Sequence, residues 1–250
     1  MIAHNVLGES ELIDRIAAVQ ARIATAARRT GRDPAEITLV AVSKMHPAET
    51  VVAAYQAGLR VFGENRVEEA VPKAAAVASL LDNLPSVVRR PSSTVEWHMI
   101  GHLQSRKAED VLPWASMVHS VDSVKLAGRL SRICKAADRD LSILLEVNVA
   151  GEVNKYGLTP AELPAAVEAI AALPGLRVRG LMTMAPIVPD PEEARPVFAG
   201  LRRLRDDLAR RFPALDWRHL SMGMTDDFEV AIEEGATMVR IGRAIFGEST

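Results

Sequence analysis

A lysine stands directly after the first buried, β-branched run of the sequence. The run covers residues 37–43, and Lys44 follows it at once. A lysine beside a packed interior loses hydration, which lowers its pKa and makes its amine a competent nucleophile toward aldehydes. We therefore expect Lys44 to be partly desolvated and to form a Schiff base with a carbonyl compound. The alternative is an ordinary strand-end lysine that extends into solvent.

Two stretches near the end of the chain have the composition of anion sites. Residues 221–225 carry two hydroxyls around a glycine, and residues 242–247 form a loop that enters a short predicted helix. Small residues let backbone N–H groups approach an anion, and a helix N-terminus adds partial positive charge. Turn and capping roles for the hydroxyls are the alternative. The predicted phosphate contacts are Ser221, Met222, Gly223, Thr225, Gly242 and Arg243.

A reactive lysine combined with a phosphate site suggests pyridoxal 5′-phosphate (PLP) as the cofactor. Arg240 precedes the second stretch and would face the pyridine nitrogen, where its permanent charge keeps that nitrogen unprotonated and restrains carbanion chemistry. The alternative is that Arg240 pairs with a carboxylate. Asn65, His98 and Met184 follow or end other strands and are expected to line the pocket. Asn65 is equally suited to be a helix N-cap.

These residues come together if the chain folds as a parallel barrel. Apolar runs alternate with helical patterns at a pitch of roughly 25–30 residues. Strands are predicted at 37–43, 60–63, 96–100, 117–121, 141–148, 176–183, 218–221 and 237–241. Helices are predicted from near Ser10, at 47–56, 65–79, from near Gln104, and at 160–172, 191–211 and 226–234.

Eight such units favour a closed barrel over an open, doubly wound sheet, and the dinucleotide glycine fingerprint is missing. The prediction is therefore an α/β chain forming one (β/α)8 TIM barrel over residues 1–250, with an extra N-terminal helix. In this fold the strand ends that carry the candidate residues meet at one face. The polar segment 82–95 interrupts the alternation of predicted strands and helices, and it is expected to be an exposed, mobile loop.

Composition narrows the class of protein. The 250 residues carry a net charge of −2 and 4% aromatic residues, which argues against nucleic-acid binding. No apolar run approaches the roughly 20 residues that a membrane span needs. The single Cys134 cannot form an internal disulfide, and residues 1–5 lack a signal-peptide pattern. These features predict a cytoplasmic protein.

Five segments together resemble the pyridoxal phosphate homeostasis protein family, whose barrel is similar to the N-terminal barrel of alanine racemase. They are residues 39–44, 62–65, 97–104, 221–224 and 241–247, in the right order. The resemblance implies fold type III, PLP on Lys44, a monomer, and delivery of PLP to apo-enzymes without established catalytic turnover. It also associates Lys155 with a second PLP encounter. Thr225 replaces a more usual serine and keeps the hydroxyl.

The strongest rival function is that of a PLP-dependent amino-acid racemase. Racemisation needs a base on each face of the cofactor, normally the lysine and a tyrosine from a second domain or subunit. The only tyrosines of the sequence are Tyr55, inside a predicted helix, and Tyr156, in the loop after strand five. Tyr156 is the one feature that could support a racemase. A surface-loop aromatic is the alternative.

Two further alternatives are weaker. A Schiff-base aldolase without PLP could use the lysine and the phosphate site, but it leaves Arg240 unexplained. His98 and His102 have the i, i+4 spacing of a metal pair, but the two span a strand end and a turn, so their rings are not expected to point the same way. No metal site is predicted.

Overall fold

Eight parallel strands close into a barrel in the computed structural model, which describes residues 8–83 and 94–248. Each strand pairs with the next along the chain, and the last returns to pair with the first. The strands are β1 (Thr38–Val42), β2 (Val61–Glu64), β3 (Glu96–Met99), β4 (Met117–Val121), β5 (Leu141–Glu146), β6 (Leu176–Met182), β7 (His219–Ser221) and β8 (Met238–Ile241). The predicted strands are confirmed to within one or two residues at each end.

Helices surround the barrel and connect successive strands. They are α1 (Glu9–Arg29), α2 (Ala48–Gln56), α3 (Val67–Asp82), α4 (Val124–Ala136), α5 (Leu163–Ala171), α6 (Arg195–Arg211), α7 (Phe228–Glu233) and α8 (Arg243–Phe246). Short 3-10 helices lie at Pro34–Glu36, Ser105–Asp110 and Pro191–Ala194. Helix α1 is the predicted extra N-terminal helix, and it packs beside α7 and α8.

The connections differ from the prediction in three places. Helix α1 begins at Glu9, one residue before the predicted start at Ser10, and Gly8 is its N-cap. The connection after β3 is the 3-10 helix Ser105–Asp110 rather than an α-helix. Helix α4 was given no bounds in the prediction, although its buried residues Leu126, Ala127, Leu130, Ser131 and Cys134 follow helical spacing.

Two predictions fall where the structure gives no description. The predicted loop at 82–95 lies mostly outside the described residues, since only its first two and last two residues are described. Residues 1–5, which were judged for a signal-peptide pattern, also lie outside them. Within the described ranges, no helix combines the length and the apolar character that crossing a membrane requires.

The hydrophobic core has two layers. An outer layer fills the space between the helices and the barrel wall, and it includes the completely buried Phe62, Phe198 and Phe228. Burial of a large apolar side chain stabilises the fold by about 1.5–3 kcal/mol. A smaller inner layer consists of Val40, Ile100, Met117, Leu144, Met182 and Met238. Polar side chains occupy other buried positions of the strands, and these belong to the candidate site.

Strand order decides which candidate residues are neighbours. Strand β1 lies between β8 and β2, with Ala41 opposite Ile241 and Val42 opposite Gly63. The loops that follow these three strands therefore meet at the carboxyl-terminal mouth of the barrel. This places the lysine loop beside the loop after β8, as the barrel prediction requires.

Candidate functional site

Lys44 lies at the carboxyl-terminal mouth, two residues past the end of β1. Its side chain is exposed, whereas the preceding Ser43 is completely buried. The expected desolvation of Lys44 is therefore wrong. The chain turns outward here, and Met45 adopts a positive φ of 63°, which L-residues rarely take. The amine is accessible to a small molecule at the mouth.

A buried lysine supports this turn from below. Nζ of Lys73 donates to the carbonyl of Ser43 at 2.8 Å. It also donates to Glu64 Oε1 at 2.8 Å and to Glu69 Oε1 at 2.9 Å. The hydroxyl of Ser43 donates to the same oxygen of Glu64 at 2.7 Å, and Glu69 accepts from the backbone N–H of Met45. The residues on both sides of the candidate lysine are thus held by one charged cluster, which preorganises the turn.

The carboxyl group at the centre of this cluster depends on its partners. Glu64 is completely buried, and burial raises its pKa. The charge of Lys73 and the hydrogen bonds from Lys73 and Ser43 oppose that shift. Oε2 of Glu64 finds no hydrogen-bond partner among the described residues. A buried pair of this kind is costly to break, because removing one partner leaves an uncompensated charge.

The first anion stretch forms a tight turn between β7 and α7. Gly223 has a φ of 90°, and a Cβ there would lie 2.6 Å from the Cβ of Ala231 and 2.8 Å from the Cα of Phe228. Only glycine suits both the conformation and the space. The N–H of Met224 donates to Asp227 Oδ1 at 2.6 Å. Thr225 is half-buried at the start of the following turn.

The side chain of Met222 does not face the mouth. It is completely buried and belongs to the outer hydrophobic layer, so Met222 offers only its backbone to a ligand. Its own N–H donates to the carbonyl of Met238 at 3.1 Å. The expected phosphate contact from this residue is wrong on that account.

The second anion stretch packs closely against β1. A Cβ on Gly242 would lie 3.0 Å from the carbonyl oxygen of Val42 and 3.2 Å from its Cβ. Arg243 opens α8, is exposed and forms an ion pair with Asp226 from the loop after β7. The first N–H groups of a helix have no partner within the helix. The loops after β7 and β8 are therefore linked by an ion pair beside the lysine turn.

Arg240 lies inside the barrel and is 5% exposed. Its NH1 donates to the hydroxyl of Ser221 at 2.6 Å, and its NH2 donates to the carbonyl of Thr183 at 3.0 Å. Within the described ranges it forms no ion pair, so the carboxylate-pairing alternative is not what the structure has. Burial lowers the pKa of Arg240 to about 10, and the charges of Glu146 and Asp227 oppose this shift. The group stays cationic at neutral pH.

The hydroxyl of Ser221 is therefore not at the predicted phosphate site. Ser221 is the last residue of β7, is completely buried and points into the barrel. Besides Arg240, it contacts Nδ1 of His119 at 2.9 Å. A hydroxyl has one hydrogen to donate, so these two partners occupy it. The expected direct phosphate contact from this side chain is wrong.

Two histidines continue inward from Ser221. Nε2 of His119 lies 3.0 Å from Nδ1 of His98, and Nε2 of His98 lies 3.0 Å from Glu96 Oε1. Burial lowers the pKa of His119 well below its ordinary value, with smaller contributions from His98, Arg240 and His219. His98 is buried, as expected, but it contacts other side chains of the barrel rather than the mouth.

A carboxyl group that sequence reasoning missed ends β5. Glu146 is 4% exposed, and its Oε2 has no hydrogen-bond partner among the described residues. Burial raises its pKa to about 7, and Asp122 adds to the shift while Arg240 opposes it. This group exchanges a proton near neutral pH at the same end of the barrel as the lysine turn.

The loop after β5 is attached to the loop after β3. The ring of Tyr156 stacks on that of His102, with centroids 3.5 Å apart and an interplanar angle of 11°. Nδ1 of His102 lies 3.2 Å from Asp122 Oδ2. Lys155 pairs with Glu152 at 2.6 Å. The two histidines that were weighed as a metal pair thus have different partners, and the described residues contain no group of three metal-ligating side chains.

The remaining predicted pocket residues lie at the mouth. Asn65 follows β2 and is half-buried, but Arg66 is the N-cap of α3, so the capping alternative for Asn65 is wrong. Met184 follows β6 and is 39% exposed. Both occupy loops that follow barrel strands, where pocket residues are expected.

Comparison with known proteins identifies the class. A family model described as "Alanine racemase, N-terminal domain" matches residues 15–250. A pyridoxal phosphate homeostasis protein of Pseudomonas aeruginosa is 46% identical over 239 residues, which is 95% of this chain and 96% of the relative. The chain belongs to the alanine racemase N-terminal domain family and, within it, to the pyridoxal phosphate homeostasis proteins.

A relative of known structure is also similar to this chain in three dimensions. PipY of Synechococcus elongatus PCC7942 is 36% identical, and the match covers 94% of this chain and 100% of PipY. The TM-score is 0.81 against the structure without PLP and 0.78 against the structure with PLP bound. The fold is therefore shared, over 94% of this chain, with a protein that has been solved in both states.

Proposed function

We propose that this protein binds PLP, holds it as a Schiff base on Lys44, and takes part in intracellular PLP homeostasis and delivery. The observation that carries the proposal is the lysine turn: an accessible amine, supported on both flanks by the Lys73 cluster, beside two anion stretches at one barrel mouth. The relationship to PipY, solved with PLP bound, supports the same cofactor. When bound, PLP supplies an aldehyde and an electron-accepting ring.

The residues present fit a phosphorylated aldehyde. Gly223 and Gly242 let their turns pack closely on α7 and on the end of β1, which leaves backbone of both turns at the barrel mouth. Backbone at Gly223, Thr225 and Gly242 would hold the phosphate. Arg243, the first residue of α8, would add a cationic side chain to these backbone contacts. Backbone N–H groups can bind a phosphate whichever side chains their residues carry.

The remaining predicted residues would surround the ring. Arg240 would contact the pyridine nitrogen as a donor, because a guanidinium has no acceptor atom. Asn65 and Met184 would line the mouth. His98 would not touch the ring and would act on it only through the side chains that it contacts inside the barrel. A nitrogen that faces a permanent cation stays unprotonated, which keeps the cofactor a poor electron sink. This supports a protein that carries PLP rather than one that turns over amino acids.

Tyr156 gives the racemase alternative little support. Its ring is stacked on His102, and it is 57% exposed. A second base would have to face the cofactor opposite the lysine. We therefore propose a carrier that acts as a cytoplasmic monomer, with apo-PLP enzymes as its acceptors.

Lys155 is proposed as a relay amine between the pocket and an acceptor. Its pair with Glu152 leaves it about one third exposed, in the loop joined to the mouth by Tyr156. Lys155→Ala is expected to slow PLP transfer from the loaded protein to an apo-enzyme while leaving PLP on Lys44. Lys107→Ala, which removes another paired surface lysine, is the control. Equal transfer rates for both variants and the wild type would exclude the relay.

The proposed function is tested by transfer itself. The protein is loaded with PLP, separated from free cofactor and mixed with a PLP-requiring apo-enzyme, whose recovered activity is measured against time. Recovery faster than from buffer-released PLP supports delivery. Failure of the loaded protein to retain PLP, or conversion of L-alanine to D-alanine at enzyme-like rates, would contradict it.

A further inference from the structure

A line of four hydrogen bonds joins buried side chains of the barrel to solvent. It links Glu96 to His98 at 3.0 Å, His98 to His119 at 3.0 Å, His119 to Ser221 at 2.9 Å and Ser221 to Arg240 at 2.6 Å. Only the first member reaches water: its side chain is 49% exposed, and it begins β3 at the amino-terminal mouth. The other four are at most 5% exposed.

With both imidazole rings neutral, the two ends of this line impose one direction on it. A guanidinium can only donate hydrogen bonds, and an ionised carboxylate can only accept them. Ser221 therefore accepts from Arg240 and has its single hydrogen to give to Nδ1 of His119. His119 must then carry its proton on Nε2 and donate it to Nδ1 of His98. His98 in turn carries its proton on Nε2 and donates it to Glu96.

The electrostatics of the members agree with this direction. The bond from His98 lowers the pKa of Glu96, which keeps the carboxylate ionised. The lowered pKa of His119 keeps that ring neutral, so that Nδ1 is available as an acceptor. Burial is the main cause of that lowered pKa, and His98, Arg240 and His219 add to it. Ser116 also donates to Glu96 Oε1, at 3.2 Å, from outside the line.

We propose that Glu96, His98, His119 and Ser221 form a one-directional hydrogen-bond chain that positions Arg240 from the opposite end of the barrel. This inference rests on the proposed function, in which Arg240 meets the ring nitrogen of PLP. Arg240 donates to the carbonyl of Thr183 and to the hydroxyl of Ser221, and that hydroxyl is in turn bonded to His119. The histidines are positioning residues, since the line meets the ring only through Arg240.

The direction of the chain is measurable in the free protein. Long-range 15N–1H correlation of histidine-labelled wild type reports which ring nitrogen carries the proton. Both His98 and His119 are expected as neutral rings protonated on Nε2. A proton on Nδ1 of either ring, or a cationic His119, would overturn the proposal. Because no PLP is needed, this result does not depend on the proposed function.

Variants at the solvent end test the link to Arg240. Glu96→Ala removes the acceptor and is expected to release the tautomers of both histidines and to weaken PLP binding about tenfold, as loss of a bond to a charged group would. Glu96→Gln keeps an acceptor oxygen and should largely restore both. Ser116→Ala, which removes only the outside donor, should change neither.

Unchanged tautomers and unchanged PLP affinity in Glu96→Ala would overturn the positioning role. Altered tautomers with unchanged affinity would also overturn it, because the chain would then exist without acting on Arg240. Loss of PLP binding in the wild type itself would instead contradict the proposed function. The two failures are therefore distinguishable.

Discussion

At the scale of single residues, the barrel places opposite kinds of group at the same mouth. Lys44 is accessible, whereas Lys73, Glu64 and Glu146 are buried. Buried charge is stable only with partners, and Lys73 has three acceptors. Glu146 has an oxygen without one among the described residues, and it responds by a raised pKa. The same interior thus supports one charged cluster and one group that protonates.

Lys73→Met tests the cluster below the lysine turn. It leaves Glu64 buried without its main partner, so the free energy of unfolding should fall by about 3–5 kcal/mol. Burial already raises the pKa of Glu64, so the loss should be smaller at about pH 5, where its protonation relieves the charge, than at about pH 8. Denaturant unfolding at both pH values measures this. Lys107→Met, at an exposed pair, should have little effect, and equal losses in the two variants would contradict the account.

Glu146→Gln tests the unpartnered carboxyl group. The folded pKa of about 7 lies above the ordinary value of 4.5, so the folded state binds the proton more tightly and wild-type stability falls as pH rises through this window. Because the pKa rises from 4.5 to about 7 on folding, this loss of stability amounts to about 3 kcal/mol. Glu146→Gln should remove it and be more stable than the wild type at about pH 8. Glu168→Gln, at an exposed helix position, is the control; parallel pH profiles for all three proteins would refute the assignment.

At the scale of elements, the site depends on where strands end and how the next turn begins. The turn after β7 needs a left-handed residue in contact with α7, and the turn after β8 packs on the end of β1. At the mouth, these two turns present backbone groups rather than side chains. The elements therefore determine the anion site more than the identities of Ser221 and Met222 do.

Gly223→Ala tests the first of these turns. The positive φ and the contact with Ala231 should cost about 1–3 kcal/mol of stability and weaken PLP binding. Gly128→Ala is a matched control inside α4, where a Cβ meets nothing within 4 Å among the described residues. That change should stabilise the protein by about 0.5–1 kcal/mol. Thermal unfolding of both variants, with PLP titration, separates the effects; a neutral Gly223→Ala would contradict the role of the turn.

At the scale of the whole molecule, strand positions and the shared mouth were predictable because apolar runs and their spacing determine a parallel barrel. The interior polar groups were not. His119 and Glu146 lie in mostly apolar strands. Which strand residues face inward depends on the register of closure, which no local pattern reports. The exposure of Lys44 was missed because a turn, not the strand, sets its direction.

The central claim is that Lys44 holds PLP, and one measurement tests it most directly. The PLP-loaded protein is reduced with borohydride, digested and mapped by peptide mass spectrometry, beside Lys44→Ala and Lys155→Ala. The account predicts a pyridoxyl adduct on Lys44 that is retained in Lys155→Ala and lost in Lys44→Ala. An adduct on another lysine in the wild type, or no adduct at all, would contradict it.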